Sequence, residues 1–304
     1  MKKTLITGTN GFLANRLIDF CDGNVFGISR SDNYKVEKKG TVLYGDILDI
    51  EFIKRVISDF EIEVIYHCAA QSIVRIANAN PRYCFEDNIM GTVNVLESVR
   101  QINPKIKIIV ASSDKAYGNH AMLPYAETMA LQAGDPYSTS KACADLVAQS
   151  YFHTYGLDVN IVRSANIYGI GDMNLSRIIP NTINRILKGK KPVIYSGVFD
   201  YKREFIYVDD VCNAYTFLSE KGVPGEAYNV GTGQFFKVGD IIEYICKLMD
   251  WKGGIEIIEK TFPEIQFQYL SCEKLNNLGW KAEHTIGPGL INTIEWYKNK
   301  FLWD

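Results

Sequence analysis

Two short segments of the chain carry groups that act on alcohols: Ser112-Ser113-Asp114-Lys115-Ala116-Tyr117-Gly118 and Tyr137-Ser138-Thr139-Ser140-Lys141. Tyr137 and Lys141 stand one helical turn apart, so a helix places both on one face. An ammonium there lowers the phenol pKa, and Ser113 adds a hydroxyl that can hydrogen-bond the same substrate oxygen. The three groups can take a proton from an alcohol while hydride leaves its carbon. Asp114 and Lys115 add proton-transfer groups that alcohol oxidation alone does not need, which points to a second step such as loss of water. A Tyr and a Lys at this spacing also arise by chance on exposed helices, so the pair takes its meaning from the segments around it.

Upstream, Thr7-Gly8-Thr9-Asn10-Gly11-Phe12-Leu13-Ala14 follows a strand-like run and opens a helix-like one. In that setting Gly8, Gly11 and Ala14 let the backbone approach a pyrophosphate, whose charge then meets free amides at a helix start. A tight turn with no ligand is the plainer reading. An acid at the end of the second strand normally holds the ribose of NAD. Ser29-Arg30-Ser31 stands there instead, and Arg30 leans the cofactor towards NADP, because guanidinium pairs with a 2′-phosphate. An Arg on a solvated loop explains it equally. Asp46, in Gly45-Asp46-Ile47, is placed either to meet the adenine or to cap a helix.

The elements that must position these groups alternate. Strand-like runs at Thr4–Thr7, Val25–Ile28, Val42–Tyr44, Val64–His67, Ile106–Ala111 and Val159–Val162 are separated by helical patterns, among them Asn88–Ile102 and Ser138–Tyr155. This predicts an α/β fold, a Rossmann-type doubly wound parallel sheet covered by helices. Glycines and prolines break the pattern after about residue 168, predicting a smaller carboxy-terminal α/β substrate-binding lobe. The expected division is 1–167 for the nucleotide domain, with 205–230 returning to it, and 168–304 for the lobe. Trp280–Asp304 reads as a final amphipathic helix after a turn at Gly287-Pro288-Gly289.

With 304 residues, 47% of them hydrophobic, the chain can bury a full core. A net charge of −2 offers no general attraction to nucleic acid or an anionic membrane. No apolar run approaches the roughly 18 residues of a membrane span. The 7 cysteines are scattered without a Cys-x-x-Cys pair, so no metal site is expected, and the odd count suits a reducing, cytoplasmic setting.

The whole chain resembles the extended short-chain dehydrogenase/reductase family, the group of nucleotide-sugar epimerases and dehydratases. The resemblance rests on Thr7-Gly8-x-x-Gly11, His67-Cys68-Ala69-Ala70-Gln71, Asn88-x-x-Gly91-Thr92, Tyr137-x-x-x-Lys141, Arg163-x-x-Asn166-x-Tyr168-Gly169, Arg203-Glu204-Phe205-Ile206-Tyr207-Val208-Asp209-Asp210 and Tyr228-Asn229-Val230-Gly231. It implies a bound NAD or NADP, an NDP-sugar substrate, and Ser113, Tyr137 and Lys141 as the redox triad. The implied cofactor set comprises Gly8, Asn10, Gly11, Phe12, Leu13, Arg30, Asp46, Ile47, Ala69 and Ala70 with Tyr137 and Lys141. The implied substrate set is Gln71, Asn88, Asn166 and Arg203, with Asn166 and Arg203 on the diphosphate and Asn88 either behind the site or capping its own helix. Many relatives dimerise through two helices, so a homodimer through Asn88–Ile102 and Ser138–Tyr155 is expected, unless those faces only cover the sheet.

Within the family, Ser113-Asp114-Lys115 resembles the Thr-Asp-Lys of CDP-glucose 4,6-dehydratases, as do Gln71-Ser72-Ile73-Val74-Arg75, Asp135-Pro136-Tyr137 and Gln268-Tyr269-Leu270-Ser271. That subgroup implies oxidation at C4, loss of water across C5 and C6, and return of the hydride to C6. A protonated Asp114 would serve the departing 6-hydroxyl. Lys115 stands where dTDP-glucose dehydratases have a Glu as C5 base, and reads as that base, as an enolate stabiliser or as half of a salt bridge. The segment Lys202-Arg203-Glu204-Phe205-Ile206-Tyr207-Val208 departs from the CDP-glucose pattern, and Val25-Phe26-Gly27-Ile28-Ser29-Arg30 resembles enzymes of GDP-sugars. The alternatives are a 4-epimerase or 4-keto reductase using the triad without elimination, and a non-catalytic nucleotide-binding protein on the same scaffold.

Overall fold

The structure, a computed structural model, describes residues 2–31, 40–259 and 265–301. β1 (Lys3–Thr7) runs through a glycine turn into α1 (Phe12–Leu17) and is followed by β2 (Asn24–Ser29), β3 (Thr41–Tyr44), α2 (Ile50–Asp59) and β4 (Val64–His67). Two short helices, α3 (Val74–Ala79) and α4 (Pro81–Phe85), lead to α5 (Gly91–Ile102), β5 (Lys107–Ala111), α6 (Pro136–Tyr155) and β6 (Val159–Ser164). Then come β7 (Asn166–Tyr168), α7 (Ile178–Leu187), β8 (Val193–Tyr195), β9 (Lys202–Tyr207), α8 (Val208–Lys221), β10 (Ala227–Val230), β11 (Phe235–Lys237) and α9 (Val238–Leu248). β12 (Glu256–Ile258), β13 (Phe267–Gln268), α10 (Glu273–Leu278) and α11 (Ile286–Phe301) complete the described chain.

Strands rich in Val and Ile and buried on both faces form one parallel sheet, in the order β10-β6-β5-β4-β1-β2-β3. The order reverses between β1 and β4, so a crevice opens beyond the carboxyl ends of those strands. On one face Leu5, Ile65, Ile108 and Ile161 meet Ile53, Val95 and Val99 of α2 and α5. On the other, Ile6, Tyr66, Ile109 and Val162 meet Val211, Tyr215 and Leu218 of α8. The Rossmann-type α/β expectation is what the chain forms.

A second, four-stranded sheet joins β11, β9 and β13, with β7 on β9. It packs through Phe205 and Tyr207 against Ile183 of α7, Ile241 of α9 and Leu290 of α11. The stretch from Phe205 to Tyr228 is therefore split: β9 belongs to the small sheet, whereas β10 pairs with β6 at the edge of the large one. Among the described residues no helix is long and apolar enough to cross a membrane.

Two helices differ from the sequence reading. The segment expected as one helix from Asn88 begins as a π-helical turn, Glu86–Met90, before α5 proper. The final helix starts at Ile286, so Gly287-Pro288-Gly289 lies inside its first turn rather than before it. Proline is tolerated there because first-turn amides have no intrahelical acceptor. Residues 302–304 of that expected helix lie outside the described residues.

Candidate active site

The glycine turn is built for close approach. Gly8 has φ +77°, and a Cβ on it would stand 2.7 Å from the Ala69 Cα, so β1 and the end of β4 touch through backbone. Gly11 caps α1 with extended backbone and no side chain in the way. Asn10 Nδ2 donates to Ser31 Oγ at 2.9 Å, tying the turn to the end of β2. Phe12 and Leu13, half-buried, pack on the core, and the Arg177 guanidinium lies 5.8 Å from the Phe12 ring centroid.

Further along the cofactor side the roles diverge. Arg30 pairs with the buried Asp87 at 3.1 Å and lies over the Tyr83 ring, so its guanidinium already has a carboxylate partner. Asp46 Oδ1 accepts from Leu48 N at 2.9 Å, a local turn, while the cap of α2 is Asp49. Ile47 is buried where a Cβ on Gly91 would meet its Cδ1 at 2.4 Å, which explains a glycine at the start of α5.

Ser113, Asp114 and Lys115 begin the 3-10 turn after β5, and Tyr137 and Lys141 lie on the first turns of α6. α6 starts where Asp135 accepts from Ser138 N at 3.1 Å and Pro136 occupies its first position. The Ser113 hydroxyl faces the Tyr137 phenol and donates to Asp114 Oδ1 at 3.1 Å. Burial pushes the Tyr137 phenol up to about 12, with Arg177 and Ser113 pulling the other way. This corrects the expectation of a phenol lowered by Lys141: the ammonium instead donates to Ala111 O at 2.8 Å, and burial draws it down to about 8.

Asp114 is almost wholly buried, and burial raises its carboxyl pKa against Lys115, Ser113 and Arg203. Its Oδ2 has no hydrogen-bond partner among the described residues. Lys115 is half-buried, and among the described residues it forms no ion pair, so the salt-bridge reading finds no support there. Within the described residues no cluster of His, Cys, Asp and Glu could hold a metal ion.

Asn88 sits on the π-helical turn and works as a clamp. Its Oδ1 accepts from Gln71 N at 2.6 Å, and its Nδ2 donates to Gln71 O at 3.1 Å and Ser140 Oγ at 2.7 Å. The loop that carries Ala69, Ala70 and Gln71 is thereby held against α6, and Gln71 turns its own Oε1 to Ile73 N. Asn166 Nδ2 donates to Glu204 O at 3.0 Å, and Arg203 donates to the carbonyls of Lys202, Ile265 and Gln266. Both stand in the small lobe, with Arg203 electrostatically beside Asp114.

Three further polar residues had no role in the sequence reading. Arg177, paired with Asp172 at 3.0 Å, acts on Tyr137; Ser176-Arg177 lies in no motif, so nothing in the sequence singled it out. Burial pushes the Glu204 carboxyl up to about 7 against backbone N–H donors from Thr232, Gly233 and Leu270. Gln268, in a quoted motif but without an assigned task, is fully buried.

The chain matches the NAD dependent epimerase/dehydratase family over residues 4–231. It is 29% identical to the dTDP-D-glucose 4,6-dehydratase of Bos taurus, covering 99% of this chain and 90% of that protein. It is 30% identical to a putative UDP-glucose 4-epimerase of Methanocaldococcus jannaschii, covering 97% of this chain and 98% of the relative. Among solved structures, a dTDP-glucose 4,6-dehydratase from Bacillus anthracis in complex with NAD superposes with a TM-score of 0.90 at 27% identity, covering 100% of this chain and 98% of that one.

Proposed function

Because this chain belongs to the NAD dependent epimerase/dehydratase family, we propose that it is a nucleotide-sugar 4,6-dehydratase, converting an NDP-glucose to the 4-keto-6-deoxy sugar. The observation that carries this reading is Asp114, a buried carboxyl one residue from the Ser113 hydroxyl that faces Tyr137. A 4-epimerase expels no hydroxyl and so needs no proton donor for one.

The glycine turn, with no side chain between β1 and Ala69, fits a dinucleotide, which Gly8, Asn10, Gly11, Phe12, Ala69 and Ala70 would hold. The Arg30–Asp87 pair and the NAD-bound relative favour NAD over the NADP that Ser29-Arg30-Ser31 suggested. Bound there, the nicotinamide supplies hydride acceptance and return. The C4 hydroxyl proton would pass to Tyr137, whose phenol would have to be drawn down from about 12 by the positive ring of the bound cofactor, while Ser113 orients that oxygen and Lys141 holds Tyr137's side of the helix to β5. The ketone makes the C5 proton acidic, and Lys115, with no ion pair among the described residues, is our candidate to take it or to stabilise the enolate. Asp114 gives its proton to O6 as the C6–O6 bond breaks, and water leaves. Asn166, Arg203 and Arg177 would bear the diphosphate, and Gln71 and Asn88 would back the sugar.

The test is product analysis with CDP-, dTDP- and UDP-glucose in deuterated water. A 4-keto-6-deoxy product labelled at C5 is expected. An unlabelled C4 epimer would establish the second reading, which the epimerase relative favours. Asp114→Asn should retain C4 oxidation and lose elimination by about 100-fold. The nucleotide that raises the melting temperature most assigns the base, CDP by the Ser113-Asp114-Lys115 resemblance or dTDP and UDP by the relatives.

The dimer belongs to the same proposal. Met90, Ile102, Leu146 and Tyr155 leave large apolar side chains exposed on and beside α5 and α6, a face that a second copy would cover as a four-helix bundle.

A further inference from the structure

Gln268 is a buried residue of the small sheet that the mechanism above leaves idle. It is fully buried, and neither Oε1 nor Nε2 has a hydrogen-bond partner among the described residues. Such groups are costly and few in native proteins, and each asks for a reason. Asp114 Oδ2 is in the same condition.

The topology brings the two together. β13 pairs in parallel with β9, with Gln268 opposite Arg203, so both side chains leave the sheet on one face. Arg203 interacts with Asp114. Two residues beyond Gln268, Leu270 bridges to Tyr125, and Asp114 acts on the Tyr125 phenol. Gln268 thus stands opposite Arg203, and its strand neighbour Leu270 lies beside Tyr125, the two groups that interact electrostatically with the Asp114 carboxyl. A carboxamide carries both an acceptor and donors, which suits a neighbour that changes protonation during a reaction. Hydrogen bonds of this kind often stay long until substrate fills the site.

We propose that Gln268 is a positioning residue for Asp114. Once substrate fills the site, Oε1 would accept a hydrogen bond from the protonated Oδ2; after that proton has passed to O6 and water has left, Nε2 would donate to the carboxylate that remains. The inference rests on the reading of Asp114 as the acid of the elimination.

The groups that face Asp114 are Lys115 on its own turn, Arg203 and Glu204 of β9, Tyr125 of the following loop and Tyr137 of α6. A pH profile must be read against all of them. The test compares wild type with Gln268→Leu and Gln268→Glu on the NDP-glucose selected above and on its 6-deoxy analogue, which can be oxidised at C4 but has no 6-hydroxyl to lose. Gln268→Leu should melt at or above wild type, since it removes two unpartnered polar atoms. It should slow formation of the 4-keto-6-deoxy product by about 10- to 100-fold and slow oxidation of the analogue by less than about threefold. Gln268→Glu should move the limb that reports Asp114 to higher pH, because an added carboxylate disfavours ionisation of its neighbour.

Unchanged elimination in Gln268→Leu, or an equal fall in both steps, overturns the inference. A lower melting temperature with both steps impaired marks Gln268 as a packing residue and overturns it too. A wild type that oxidises the analogue but never eliminates water from NDP-glucose removes the acid role of Asp114 itself, a failure seen without any variant.

Discussion

His67 shows how the surroundings of one residue set its chemistry. Ala69 N donates to Thr7 Oγ1 at 3.1 Å, Thr7 Oγ1 lies 2.8 Å from His67 Nδ1, and His67 Nε2 lies 3.1 Å from Thr92 Oγ1, which donates to Asn88 O at 2.7 Å. With the Thr92 proton committed to Asn88, the imidazole must donate from Nε2 and accept at Nδ1, the neutral form. Burial, aided by Lys141, holds its pKa down at about 3, against an ordinary 6.5. Between these values the unfolded chain binds a proton that the folded chain does not, so stability is lost as pH falls through that window. Urea unfolding at about pH 7.5 and about pH 5 should show this loss in wild type and a smaller one in His67→Gln. Equal losses in the two proteins would mean that other groups carry the acid sensitivity.

At the scale of elements, Tyr137 and Lys141 depend on how α6 is fastened. Arg163 of β6 forms a fully buried, two-pronged pair with Asp145 of α6, at 2.8 and 3.0 Å, and donates at 3.0 Å to the Tyr117 phenol. Asp145→Ala leaves that guanidinium without its carboxylate and should cost about 3–5 kcal/mol in denaturant unfolding, with activity falling as Lys141 loses its place on β5. The glycine turn is the other fixed point. Gly8→Ala combines a positive φ with a 2.7 Å backbone contact and should cost about 1–3 kcal/mol. It should also weaken NAD binding in calorimetry, more than a substitution of equal destabilisation placed in α9 would.

For the whole molecule, the large sheet's side supplies Asp114 and Tyr137, and β9 of the small sheet supplies Arg203, which interacts with Asp114. Met90, Ile102, Leu146 and Tyr155 are exposed on and beside α5 and α6. Light scattering should give a dimer for wild type and a monomer for Leu146→Glu, with melting lowered in the variant; a monomeric wild type would end the bundle proposal.

The alternation of β-branched runs with helical periods, and the glycine turn after the first strand, determined the sheet and where a dinucleotide would lie, because period and backbone freedom are local properties written in consecutive residues. The proposed triad could be picked out for the same reason: Tyr137 and Lys141 share a helix, and Ser113 follows a strand two residues on. Only the tertiary structure decided the rest. That Lys141 turns to Ala111 O, that Arg30 is taken by Asp87, that Asn88 clamps Gln71 to Ser140, and that Gln268 stands opposite Arg203 all depend on burial and on partners tens of residues away. A pKa or a hydrogen bond belongs to an environment, and the environment exists only once the chain has closed.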